Sequence, residues 1–320
     1  MWRSTGNCWP SPMSERILVL GAGGFIGRHL VRRLASMGQD VLAVSRRAWP
    51  DIPASVEMRL AEPRSPLDFA PLLNGVGTVF HLASSSTPGS TAGHPLDELE
   101  ANLRPTLALL ESLQERPLIS LVYVSSAGTL YQPAPDTPSR EDSPLLPRSY
   151  HGAGKAAAEA FIHAWASQYD GRTTILRPSN VYGPGQLEKG SFGIVPTALG
   201  KLRRGEELTV WGDGNIVRDF LYVDDFVALC ERVLVTPKAR GSRIVNVACG
   251  KGTRINDLFG VMELVTGRPL LRRYVAGRGV DAPRADIDPS LARQLFDWTA
   301  RVDLEQGLQE TWRWLNRQTP

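Results

Sequence analysis

Three glycines at three-residue spacing, Gly21, Gly24 and Gly27 in the segment GAGGFIG, form the first arrangement along the chain that could do chemistry. A bend of this kind suits a pyrophosphate. Glycine admits positive φ, lets the backbone approach the anion and lets a helix pack closely on a strand, while the helix start offers free N–H groups. Ile26 takes the place that the last glycine of G-x-G-x-x-G would have, and a glycine bend alone can be purely structural. The strand-like run before it and the helical run after it make it a candidate dinucleotide site. Downstream, Ser45, Arg46 and Arg47 stand where an acidic residue would hold the ribose 2′-hydroxyl of NAD. A carboxylate there repels a 2′-phosphate, whereas two guanidinium groups and a hydroxyl bind it through charge-assisted hydrogen bonds. The expected cofactor is NADP or NAD, with the balance towards NADP; two solvated arginines at a strand end are the alternative.

The elements that would position these residues follow from apolar periodicity. Arg16 to Leu20 reads as a strand, and Phe25 to Met37 as a helix that Gly38 stops. Asp40 to Ser45, Thr78 to Ala83 and Leu118 to Ser125 read as further strands, with helical stretches such as Asp97 to Gln114 between them. This alternation predicts an α/β fold, a Rossmann doubly wound parallel sheet covered on both faces. After about Arg177 the pattern shifts to Gly, Pro and short strands, as in NVYGPGQ and TVWGDG. The expected organisation is a dinucleotide-binding domain over residues 13–177 and a smaller C-terminal substrate-binding lobe over 178–320, with part of 218–250 returning to the first sheet. Residues 1–12 precede Met13 of MSERILVLG and read as a disordered extension. The cluster SSSTPGSTAG at 84 to 93 reads as one exposed loop.

Composition narrows the classes. With 320 residues, 42% of them hydrophobic, the chain can bury a large core. Its formal charge of +3 is spread along the sequence without a like-charge run, so nucleic acid is not an implied partner, while a phosphate-bearing ligand is compatible. Cys8, Cys230 and Cys249 are odd in number and form no CxxC pair, which points to a reducing cytoplasm. No histidine stands at ligand spacing from another histidine or a cysteine, so no metal is expected. No stretch approaches the roughly 18 apolar residues of a membrane span, and no membrane partner is expected.

The motifs GAGGFIG, HLAS at 81–84, YVSSAGTLY at 123–131, GAGKAAAE at 152–159, RPSNVYGPG at 177–185 and RDFLYVDD at 218–225 occur in one order from Met13 onward. In this the chain resembles the extended short-chain dehydrogenase/reductase family, specifically its NAD-dependent epimerase/dehydratase branch. The resemblance implies that the first lobe binds NAD or NADP through Gly21, Gly24, Phe25, Ile26, Gly27, Ser45, Arg46, Arg47, Leu82, Ala83, Lys155 and Pro178. It implies that the second lobe binds a nucleoside diphosphate sugar, with Thr129 and Asn180 near the sugar or diphosphate and Arg218 and Arg278 clamping the phosphates. Arginine is well shaped for such bidentate recognition. A homodimer through the helices at 97–114 and 152–168 is implied as well. The chain departs from the family near the adenine: residues 59–62 read RLAE, without the usual Asp, and Gly77 replaces the acid of GVD.

The catalytic positions also depart. The family places a Tyr four residues before a Lys as general acid/base. Four helical positions bring two side chains within about 40° of one another, so the cation can tune the acid. Four residues before Lys155 stands His151, while Tyr150 is five away, about 140° round an ideal helix. Either Tyr150 swings towards the substrate or His151 has taken the role. An imidazole with an ordinary pKa of about 6.5 suits proton exchange near neutrality, and a neighbouring Lys155 cation would keep it neutral, favouring proton abstraction. The family's hydroxyl, four residues before the position of Tyr131, is here Ala127; Ser126 is the expected replacement, with Thr129 the other candidate and Ser125 structural. The expected activity is that of a nucleotide-sugar epimerase or ketoreductase exchanging a hydride at a sugar carbon, C4. A binding protein that has lost catalysis is the alternative.

Overall fold

The computed structural model describes residues 15–87, 92–132, 137–188, 193–277, 279 and 282–318. The proposed extension 1–12 and Arg278 lie outside them. Strands β1 (Arg16–Leu20), β2 (Val41–Ser45), β3 (Glu57–Leu60), β4 (Val76–His81), β5 (Ser120–Val124), β6 (Arg172–Pro178) and β10 (Gly241–Val247) form one sheet in the order β10-β6-β5-β4-β1-β2-β3. Every neighbouring pair in it is parallel. The chain runs outward from β1 in one direction and restarts from β4 in the other, so a crevice opens beyond the carboxyl ends of β1 and β4, the usual binding point of such sheets.

Both faces are buried, which is why these strands read as continuous apolar runs. On one face Ile17 and Val19 of β1 meet α1 (Phe25–Ser36), α7 (Val223–Val235) and α9 (Ser290–Phe296) through Leu30, Leu34, Phe226, Leu229 and Phe296. On the other, Leu18 and Leu20 meet α4 (Arg104–Leu113) and α5 (Tyr150–Tyr169) through Leu109, Leu113, Ile162 and Trp165. The short helix α2 (Pro66–Phe69) closes this layer with Phe69.

The second lobe has its own core around Leu199, Leu202, Leu258, Phe259, Met262 and Leu308. It is built from β7 (Asn180–Tyr182), α6 (Ile194–Arg204), β8 (Leu208–Trp211), β9 (Val217–Tyr222), β11 (Gly252–Arg254), α8 (Ile255–Thr266), β12 (Arg272–Val275), β13 (Arg284–Ala285) and α10 (Leu304–Arg317). β9 pairs with β7, β11 and β13, and β8 pairs with β12. Between these pieces α7, β10 and α9 go back to the first sheet, β10 pairing with β6 along seven residues. The segment at 218–250 thus divides: β9 stays in the second lobe and the return starts at α7.

Two elements differ from the sequence reading. β3 is an edge strand with two exposed residues and no apolar run to announce it. The stretch expected as one helix over 97–114 is α3 (Pro95–Glu98), a π turn at Leu99–Leu103 and then α4. Pro105 at the start of α4 has no N–H to give to the preceding turn, and a wider turn accommodates that loss.

Candidate active site

The glycine bend follows β1 directly. Gly21 has φ +82, and a Cβ there would lie 2.6 Å from the backbone N of Ala83. The bend and the HLAS segment beyond β4 are therefore in backbone contact. A Cβ on Gly27 would overlap the Gly21 carbonyl oxygen and Ala22, which is the close helix-on-strand packing that the motif allows. Gly24 caps α1 without a side chain, and no acidic residue stands in the first turn. The N–H groups of Phe25, Ile26 and Gly27 have no intrahelical partner, so an open, positively polarised helix start faces the crevice. These residues fit a dinucleotide pyrophosphate.

At the end of β2 the Ser45 hydroxyl donates to the Arg47 carbonyl at 2.9 Å. Arg46 and Arg47 are exposed, and Arg46 comes only to 3.9 Å from Glu62. Gly23, which the motif reading passed over, leaves room for the Ser45 hydroxyl where a Cβ would sit. On α1, one turn after the bend, His29 holds the Pro184 carbonyl at 2.8 Å and Asp224 at 3.0 Å, tying the dinucleotide lobe to the loop after β7.

Helix α5 carries the acid/base candidates. Ser149 caps it by accepting from the Gly152 N–H, and it starts at Tyr150, two residues before the helix over 152–168 expected from the motif GAGKAAAE. That start sets the two candidates apart: Tyr150 is 44% exposed, whereas His151 is 8% exposed. Lys155, 5% exposed, donates to the Val124 carbonyl at the end of β5 at 2.9 Å, and its ammonium lies 4.8 Å above the Tyr123 ring. Burial pushes Lys155 down to about 8, against the pull of Glu98 and Glu159. Burial, then the Lys155 charge, push His151 down to about 4, so its imidazole is neutral at pH 7.

His151 is held by residues that the sequence did not single out. Its Nδ1 meets the Ser86 hydroxyl at 2.8 Å. The Asn102 amide donates to Ser86 Oγ at 2.7 Å and to Glu98 at 2.9 Å. Residues 88–91 of the expected exposed loop at 84–93 lie outside the described residues; of the others, Ser86 is buried, its hydroxyl turned inward to this network, which corrects the reading there. Glu98 enters because Gly154 has no Cβ to block it. No local signal marked these residues; only the return of α5 beside the π turn brings them together.

The hydroxyl candidates lie on the loop after β5. Ser126 is half-buried, and the Ser125 and Thr129 hydroxyls are buried without a partner among the described residues. Ala127 donates its N–H to the Pro178 carbonyl at 2.8 Å, fastening that loop to the end of β6. Leu82 is half-buried and Ala83 exposed beyond β4. Below, Arg177 and Glu159 form a buried pair, and Arg177 also donates to the Tyr131 hydroxyl at 2.8 Å.

In the second lobe, exposed Asn180 donates to the Asp219 carbonyl at 2.9 Å, and Arg218 donates to the carbonyls of Val217 and Ala282. The buried Asp219 carboxylate collects Ser179, Cys249, Gly250 and Lys251, holding β9 against the segment after β10. Among the described residues no group of His, Cys, Asp or Glu could hold a metal, and no helix is long and apolar enough to cross a membrane.

The chain is similar along its length to enzymes of nucleotide-sugar chemistry. It is 30% identical over 303 residues to a putative UDP-glucose 4-epimerase of Methanocaldococcus jannaschii, covering 93% of this chain and 98% of that one. It is 32% identical over 318 residues to a dTDP-4-dehydro-6-deoxy-D-allose reductase of a Streptomyces species, covering 93% and 95%. Among solved structures, UDP-glucose 4-epimerase of Thermotoga maritima with UDP-glucose matches with TM-score 0.88 at 28% identity over 94% of this chain and 99% of that one. MoeE5 in complex with UDP-glucuronic acid and NAD matches with TM-score 0.87 at 29% identity, again over 94% and 99%. The model of the NAD dependent epimerase/dehydratase family matches residues 17–248, and the chain belongs to that family.

Proposed function

We propose that the protein is a nucleotide-sugar epimerase or ketoreductase that exchanges a hydride between NAD(P) and a sugar carbon, C4, of a nucleoside diphosphate sugar. One observation carries this reading: at the carboxyl end of one sheet the glycine bend touches Ala83 of HLAS, Ser86 just beyond that segment holds His151, and Lys155, one helical turn further, is fastened to the end of β5. The relatives named above act on UDP- and dTDP-sugars at this fold. In this reading Gly21, Gly24, Phe25, Ile26 and Gly27 hold the pyrophosphate, Leu82, Ala83 and Pro178 border the nicotinamide side, and Lys155 holds the nicotinamide ribose. Ser45, Arg46 and Arg47 face the adenosine ribose, and their charge favours NADP. His151 meets the reacting sugar oxygen in place of the exposed Tyr150, with Ser126 as the nearby hydroxyl. Thr129, Asn180, Arg218 and Arg278 take the sugar diphosphate. The dinucleotide, when bound, supplies or accepts the hydride.

The reading extends to a cytoplasmic homodimer formed through α3–α4 and α5, whose outer faces expose Leu96, Leu99 and Phe161. Sedimentation tests the dimer. The function is tested by a panel of UDP-, dTDP- and GDP-sugars and their 4-keto forms with each cofactor, followed by nicotinamide absorbance and product mass. Hydride transfer at C4 is expected; tight binding without transfer would instead make the chain a binding protein.

A further inference from the structure

The hydrogen bonds around His151 have a direction, and it starts from a group that cannot reverse. The backbone N–H of Ser85 donates to Asn102 Oδ1 at 2.9 Å. A backbone amide is always a donor, so it fixes which end of the Asn102 side chain is oxygen. The opposite end, Nδ2, then supplies both its hydrogens, one to Glu98 and one to Ser86 Oγ. With Asn102 donating to it, the Ser86 oxygen has its own hydrogen left to give. The acceptor within reach among the described residues is His151 Nδ1, at 2.8 Å. A neutral imidazole whose Nδ1 accepts carries its proton on Nε2. The opposite arrangement, Nδ1–H donating to Ser86, would leave the Ser86 hydrogen without an acceptor in a buried site, which is unfavourable.

We propose that Asn102 and Ser86 hold His151 with its proton on Nε2, so that this corner presents a hydrogen-bond donor to the reacting oxygen and suits a keto sugar as the substrate to be reduced. This rests on the reading of His151 as the group at that oxygen. It reverses the expectation drawn from the sequence, in which a neutral imidazole abstracts a proton: that needs the lone pair on the nitrogen facing the substrate, and here the lone pair faces Ser86. A donor is useful in the other direction. A reduced nicotinamide held at the glycine bend would supply hydride to the carbonyl carbon, the carbonyl π pair would move onto oxygen, and Nε2–H would stabilise that developing charge. One proton from solvent then completes the alcohol. Ser86 and Asn102 are positioning residues, acting on the substrate only through the imidazole.

The test is the protonation pattern of His151 in the full-length protein labelled with 15N at histidine, with His151→Gln identifying the resonance. At pH 7 the expected result is an unprotonated Nδ1 and a protonated Nε2. Ser86→Ala should give a mixture of the two tautomers and lower kcat for 4-keto sugar reduction about tenfold, the scale of one neutral hydrogen bond, with little change in KM. Ser86→Thr, which keeps the hydroxyl, should restore both. A protonated Nδ1 in the unmodified protein, or an unchanged pattern in Ser86→Ala, overturns the proposal. If instead the tautomer is as stated but His151→Gln reduces keto sugars at the full rate, the tautomer assignment stands and the placement of His151 at the reacting oxygen fails.

Discussion

The glycine bend and the His151 corner stand at the ends of strands separated only by β4, yet they encode their chemistry in different ways. The bend works through backbone: Gly21 and Gly27 matter for the side chains they lack, and all its parts lie within seven consecutive residues. The corner works through side chains gathered from Ser86, Glu98, Asn102, His151 and Lys155. A backbone device tolerates little change in residue type, whereas in the proposed reading the side-chain device has exchanged its acid and kept its place. Here His151 stands at the family's tyrosine position and Ala127 at its hydroxyl position.

The sharpest way to break this contrast is at the bend. Gly27→Val would force a branched side chain against the Gly21 carbonyl and Ala22, where neither neighbour has a flexible end to move. A cost of about 1–3 kcal/mol from overpacking is expected, together with loss of dinucleotide binding. Gly24→Ala is the control: its φ is −72 and its Cβ would stand 3.2 Å from the Gly21 oxygen, so the fold should hold. Thermal melting and calorimetric titration of the dinucleotide check both; equal behaviour of the two variants would refute the packing argument.

The corresponding change in the corner should spare binding and remove chemistry. His151→Gln keeps a hydrogen-bonding side chain in the same space, so dinucleotide affinity and melting temperature should move little. Turnover should fall by about 10²–10³, the range for losing one preorganised donor at a developing oxyanion. Tyr150→Phe should leave turnover near that of the unmodified protein. The reverse ranking of the two variants in steady-state assays would return the role to the tyrosine.

The same contrast explains what the sequence makes legible. Strands β1, β2, β4 and β5 are apolar runs because both sheet faces are covered, and the bend announces itself by glycine spacing. Lys155 and its offset from His151 are visible because one helical turn is a local relation. Ser86 is not visible, since a serine in a Ser-rich loop is indistinguishable from its exposed neighbours until α5 packs over it. Glu98 is equally hidden, because its burial depends on Gly154 fifty-six positions later in the chain. The edge strand β3 escapes for a related reason: its pairing with β2 is set by the sheet, not by its own composition.

Titration gives a further, smaller effect, which belongs to the corner alone. Above the ordinary imidazole pKa of about 6.5, His151 is neutral both folded and unfolded, and its burial carries no charge penalty. As pH falls from there towards about 4, the unfolded chain takes up a proton that the folded one refuses, so stability declines across that window. The loss from this residue is at most about 3 kcal/mol. Buried His81, pushed down to about 3, acts in the same sense, while Asp219 and Asp225, pushed up by burial, act in the opposite one. Comparing the unmodified protein with His151→Gln isolates this contribution: the variant should lose less stability between pH 7 and pH 4 by denaturant unfolding. Parallel curves would mean that His151 is not held neutral by the fold.

The smallest expected effect lies at the far side of the bend, where backbone and side-chain devices meet. Arg46 and Arg47 are exposed, and the contact of Arg46 with Glu62 at 3.9 Å is loose enough to be worth little in water. Both guanidinium groups can therefore turn to a 2′-phosphate without first breaking a strong pair. Ser45 is constrained differently, since its hydroxyl already donates to the Arg47 carbonyl and shapes the loop that carries the arginines. Arg47→Ala should lower affinity for NADP about tenfold, as expected for losing one charge-assisted hydrogen bond partly exposed to solvent, and leave affinity for NAD unchanged. Ser45→Ala should weaken both cofactors to a similar, smaller extent through the loop. If Arg47→Ala and Arg46→Ala alter neither cofactor's affinity, the two arginines are solvated surface charges and selection between NAD and NADP lies elsewhere in the pocket.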